Sequence, residues 1–89
     1  MVTYTRKDFE DAYNYFSAIA AVNPPKQWRV YGDFPPEQII ERLKMINELY
    51  LTDMSARDIT AKVWETCPDV HPCAILKVVL GFGGFTVKE

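Results

Sequence analysis

Cys67, His71 and Cys73 are the residues of this chain whose side chains can ligate a metal or act as a nucleophile and its base, and they fall close together in one loop. Asp69, between them, offers a fourth ligand. Zinc takes deprotonated thiolates and imidazole nitrogens in a tetrahedral set, but C-x3-H-x-C, stiffened by Pro68 and Pro72, matches no common zinc module. We therefore expect no metal. A Cys67–Cys73 disulfide is stereochemically open, although a reducing compartment leaves both thiols free. As a nucleophile–base pair, a thiol and His71 lack an orienting residue and an oxyanion donor. The chain contains no G-x-S-x-G, phosphate loop or dinucleotide fingerprint. Gly81-Phe82-Gly83-Gly84 follows a helical pattern, whereas phosphate cradles precede one. No catalytic residue and no cofactor are assigned, and the chain is expected to be non-enzymatic. The plain role for the cluster is two buried or half-buried thiols beside a histidine that caps a helix.

Charge bears on the partner. Ten Lys and Arg stand against twelve Asp and Glu, for a net charge of −2. Residues 1–34 balance four of each sign, and residues 35–89 carry six basic against eight acidic. Neither half has the cationic excess that drives binding to a phosphate backbone. The side chains available for DNA are Arg57, Lys62, His71 and Lys77. The aromatic fraction, by contrast, is generous at 13 %. Tyr15 falls on a different side of its helix from Phe9 and Tyr13 and is expected at the surface. Trp28, Arg29 and Tyr31, clustered in a short connector, are of the types enriched at binding hot spots.

Four amphipathic segments must position these residues. Phe9, Ala12, Tyr13, Phe16, Ile19 and Ala20, at steps of three and four, predict a helix over about 6–22. Thr5 and Asp8 form a capping box at its start, and Asn23-Pro24-Pro25 ends it. A second helix begins near Pro36, carries Ile39, Ile40, Leu43, Ile46, Leu49 and Tyr50 as its stripe, and ends around 51–53. Ser55, with Asp58 placed to reach back, caps a third over about 56–66, whose face is Ala56, Ile59 and Val63. Cys67-Pro68-Asp69 breaks it. A fourth starts near Pro72, continues through Ile75, Leu76, Val79 and Leu80, and stops at the glycines. Trp28 and Val30 alternate with polar neighbours, which admits a short strand near 27–31; its one visible partner is Phe85-Thr86-Val87.

With 89 residues there is room for one domain. The expected organisation is an N-terminal helix (1–22), an aromatic connector (23–35), a helix-turn-helix-like trihelix (36–82) and a tail (83–89), together a mainly α, compact four-helix domain. No secretory signal is evident, and the apolar stretch 74–85 is too short to span a bilayer, so a cytoplasmic location with no membrane contact is expected.

Arg42-Leu43, Leu49-Tyr50 and Met54-Ser55-Ala56-Arg57-Asp58-Ile59, followed by Cys73-Ala74-Ile75-Leu76-Lys77-Val78, resemble trihelical helix-turn-helix domains of the resolvase and cell-cycle-regulator kind over residues 41–82. The resemblance implies a recognition helix at Cys73–Val78 and, as one functional alternative, a DNA-binding transcriptional regulator. The turn before that helix is longer than usual and holds Pro68, and the helix offers Val79 and Leu80 where base or phosphate contacts belong. Charge and apolarity together favour a different expectation: a small protein-binding regulator or inhibitor, phage-like or mobile-element-like in style. It would act through the aromatic connector and an apolar face of the last helix, with Leu76, Leu80 and Phe82 in contact with a protein partner or with a second copy in a homodimer.

Overall fold

The computed structural model describes residues 3–84, the Tyr31 side chain excepted. It is an all-α domain of four helices. Helix α1 spans Arg6–Val22, α2 Pro36–Leu51, α3 Ala56–Thr66 and α4 Pro72–Phe82; a 3-10 turn at Tyr31–Asp33 lies in the connector between α1 and α2. No strand forms among the described residues. The strand-like alternation near 27–31 reduces to one parallel β-bridge between Arg29 and Val70. Its partner is thus the α3–α4 turn, while Phe85-Thr86-Val87 lies outside the described residues.

Local chemistry sets the helix ends. Thr5 and Asp8 make both arms of a capping box: the Thr5 hydroxyl accepts from the Asp8 N–H, and the Asp8 carboxylate accepts from the Thr5 N–H at 2.8 Å. At α3 one arm forms. The Ser55 hydroxyl accepts from the Asp58 N–H at 3.2 Å, but Asp58 does not reach back, so the expected box is half made. Pro36 and Pro72 occupy the first turns of α2 and α4, where a missing N–H costs nothing. Between α2 and α3 the chain turns at Asp53, whose φ of 61° places it in the left-handed region that Asp tolerates better than most residues.

The core is organised around α4. Ile75, Leu76, Val79 and Leu80 are all 0 % exposed, and Pro72 and Cys73 are buried with them. Against this helix pack Phe16 of α1, Ile59 and Val63 of α3, and Ile46 and Tyr50 of α2. A helix that is apolar around most of its circumference belongs in the middle of a domain, and this one is enclosed by its own chain. The expectation that Leu76 and Leu80 face a partner is therefore wrong: both are consumed by the core. Phe82, half-buried, lies 6.5 Å from the Tyr50 ring. Tyr4 closes the bottom of the bundle, its hydroxyl donating to the Met54 carbonyl at 3.2 Å and its ring set edge-on to Tyr50 at 5.9 Å. Burial, aided by Tyr50 and by Asp8 and Asp53, raises the Tyr4 pKa above its ordinary value.

The α2 stripe keeps its expected phase at Ile46 and Tyr50, with Ile39, Leu43 and Leu49 half-buried, and departs from it at Ile40 and Arg42. Its buried residues are Arg42, Ile46 and Tyr50, spaced by four, whereas Ile40 is 51 % exposed. An arginine thus occupies the first core-facing position of α2. No helix among the described residues is long and apolar enough to cross a membrane.

Candidate functional site

The connector is held by contacts to the α3–α4 turn. Val70, fully buried, anchors that turn, and its N–H donates to the Cys67 carbonyl at 3.0 Å. The neighbouring Asp69 carbonyl accepts the Arg29 N–H at 2.8 Å. One step before the bridge, the Trp28 ring lies 4.9 Å from the His71 ring. His71 in turn caps α4, its Nδ1 accepting the Cys73 N–H at 3.1 Å. Burial lowers the His71 pKa from its ordinary value of 6.5, which favours the neutral ring that this cap needs. The connector, whose own regular structure is the single 3-10 turn at Tyr31–Asp33, is thereby fixed at two consecutive residues.

Beyond the bridge the connector turns outward. Val30 is 67 % exposed, and Arg29 is exposed while its guanidinium carbon stands 4.2 Å from the centroid of the Phe34 ring. A second guanidinium, that of Arg42, stands at the same 4.2 Å from the same ring. Two like charges thus converge on one phenyl group. Arg42 is only 9 % exposed, and its Nη1 has no hydrogen-bond partner. It lines a cavity of about 440 Å³ together with Gln38, Glu41, Met45 and Thr66. Neither Arg29 nor Arg42 is ion-paired with a carboxylate among the described residues.

A second cavity, of about 430 Å³, opens between the starts of α1 and α3. Asp8, Asp11, Asp53 and Asp58 line it beside Arg57. Asp8 and Asp58 lie in the first turns of their helices, where carboxylates complement the dipole, and Asp8 completes a cap. These are structural duties.

The remaining candidates are scattered. Tyr15 is exposed at 42 %, as expected, and carries Arg57 over its ring at 4.5 Å. Arg57 is therefore engaged across α1 and α3, while Lys62 is exposed five residues further along α3, on a different side of the helix. Lys77 is exposed on α4, and Lys88 lies outside the described residues, as does the side chain of Tyr31. Cys67 and Cys73 are free and buried. The Cys67 sulfur faces the Val63 carbonyl at 3.4 Å, and that of Cys73 faces Ser17 at 3.5 Å and the Tyr13 carbonyl at 3.9 Å. With His71 turned to its own helix, these side chains do not converge, and no group able to hold a metal ion occurs among the described residues.

Of the residues singled out in the sequence, the fold brings together Trp28, Arg29 and His71 at the α3–α4 turn, and Tyr15 with Arg57 across α1 and α3. The residues missed are Arg42 and Gln38 with Thr66. One signal was available for Arg42: it lies four residues before Ile46 and eight before Tyr50, on the line of the buried face. Comparison with protein-family models, with curated proteins and with solved structures finds no match.

Proposed function

We propose that this chain is a non-enzymatic protein-binding domain, of the regulator or inhibitor kind, whose contact surface is the connector 28–34 with the adjoining face of α2. The observation that carries this reading is the fixing of an outward-facing loop. Arg29 is tied to Asp69 at 2.8 Å and Trp28 is set against His71 at 4.9 Å, while the Val30 side chain just beyond is 67 % exposed. A loop already held in one conformation loses little entropy on binding, so more of its contact energy becomes affinity. Trp and Arg are the types that most often dominate such contacts. The alternative use of α4 as a DNA reader has little support: six of its eleven residues are buried, and the chain carries a net charge of −2.

The test is capture of partners from nuclease-treated lysate by the intact chain and by Val30→Asp. Val30 is largely exposed, so the substitution should change stability by no more than about 0.5 kcal/mol. A protein retained by the parent chain and lost by the variant supports the reading, whether that protein is foreign or a second copy. Equal capture by both, or salt-sensitive binding of duplex DNA with no protein retained, overturns it.

A further inference from the structure

Arg42 is the buried charged group without a counter-charge among the described residues. It sits on the buried stripe of α2 with Ile46 and Tyr50, its Nη1 lacks an acceptor, and no carboxylate pairs with it among the described residues. A buried cation without an acceptor is strongly unfavourable. Arg29 adds a second guanidinium at the same Phe34 ring, so the two charges lie no farther apart than twice 4.2 Å. The ring face offsets part of the cost through its quadrupole, but it offers no acceptor to the buried Nη1 of Arg42. Among the described residues Thr60 is the other buried side chain without a hydrogen bond, but it is neutral and lines neither cavity described above.

We infer that Arg42 and Arg29, set against Phe34 beside the cavity lined by Gln38, Glu41, Met45 and Thr66, form a receiving site for one carboxylate of a partner protein, a single Asp or Glu set among apolar residues. This rests on the connector being the contact surface. The planar fork of arginine matches a carboxylate with two parallel hydrogen bonds. Gln38 can donate a further bond, and Met45 gives the cavity an apolar wall. At about 440 Å³ the cavity takes a side chain, not a helix or a duplex. Glu41 directly precedes Arg42 in sequence and lines the cavity itself. A run of phosphates would meet this charge, and the overall charge of −2 opposes it as well. Glu41 is also the internal competitor, close at hand yet not paired.

The experiment follows the arginine side-chain N–H resonances of the full chain while a short blocked peptide, glutamate between apolar residues, is added. The controls are the same peptide with glutamine, inorganic phosphate, and a random duplex. The Arg42 resonance is assigned by its loss in Arg42→Met. The expected result is a saturable shift of the Arg42 and Arg29 signals with the glutamate peptide only, absent for Arg29 in Arg42→Met. Glu41→Gln should tighten binding by about two- to five-fold, the scale of an exposed charge pair. A thermal midpoint of Arg42→Met at or above that of the parent chain shows that lost binding is not lost folding. An equal response to the glutamine peptide, a stronger response to phosphate or duplex, or no response at millimolar peptide overturns the assignment. Capture from lysate separates the two ideas. A partner lost by Val30→Asp but kept by Arg42→Met leaves the connector reading intact and removes the carboxylate site. A partner kept by Val30→Asp, with a positive peptide titration, does the reverse.

Discussion

His71 carries out two tasks with one ring, and protonation sets them against each other. Its Nδ1 accepts the Cys73 N–H, which requires a nitrogen without a proton, and its face supports Trp28. Burial holds its pKa below 6.5 in the folded chain. The unfolded chain therefore takes up the proton first as pH falls, and binds more protons than the folded one over the interval between the two pKa values. By linkage, the stability that His71 contributes is complete above about pH 6.5 and declines as pH falls through the lowered folded value. The denaturant midpoint should accordingly drop between pH 7 and pH 5, before most carboxylates titrate. His71→Asn keeps a side-chain acceptor at the cap and should flatten the profile over that interval; an unchanged slope would mean that another group is responsible. The capping role was legible in the sequence because His71 stands directly before Pro72. The Trp28 contact was not, because it joins segments far apart in the chain.

At the scale of elements the sequence was most readable where the signal is local. Thr5 with Asp8, Ser55, Pro36, Pro72 and the paired Pro24-Pro25 mark helix ends by hydrogen-bond and φ constraints that act within a few residues. What escaped was register: Ile40 and Arg42 differ by two positions, and a stripe spaced by threes and fours does not say which of them faces inward. The end of α4 provides a test of this kind of local reasoning. Gly81 lies within the helix, exposed, with open space where a Cβ would sit, whereas a Cβ on Gly83 would collide with the Tyr4 ring. Gly81→Ala should thus stabilise by about 0.5 kcal/mol through reduced unfolded-state entropy. Gly83→Ala should destabilise by about 1–3 kcal/mol, since Tyr4 is 5 % exposed and its ring is held between Gly83 and Tyr50. Equilibrium unfolding in urea measures both, and like signs for the two would contradict the packing of Tyr4.

For the whole molecule, the decisive matter is where apolar and charged groups end up relative to the single core. The α4 sequence is apolar almost all round, which favoured a helix that buries its surface over one that faces solvent. Whether that surface is buried by a partner or by the chain's own α1, α2 and α3 depends on long-range packing that periodicity does not encode. Arg42 raises the complementary question, because a cation stands on the buried face of α2, at the wall of a cavity, where apolar packing alone would reject it. Replacing buried ionic groups by apolar residues of similar size is often neutral or stabilising by about 1–4 kcal/mol. Arg42→Met removes the unpaired Nη1, keeps much of the side-chain volume against Phe34 and Met45, and relieves repulsion from Arg29. An expected gain of about 1 kcal/mol corresponds to a rise of roughly 4–8 °C in thermal midpoint for a domain of this size. Calorimetry on the two chains at one pH, repeated at low and high salt, measures it, and the difference should persist with salt because the group is buried. A large fall in midpoint would instead make Arg42 a structural residue, its guanidinium satisfied within the fold. A rise would mean that the free chain gives up stability to keep this cation in place, as expected of a group retained for contact with something outside the chain.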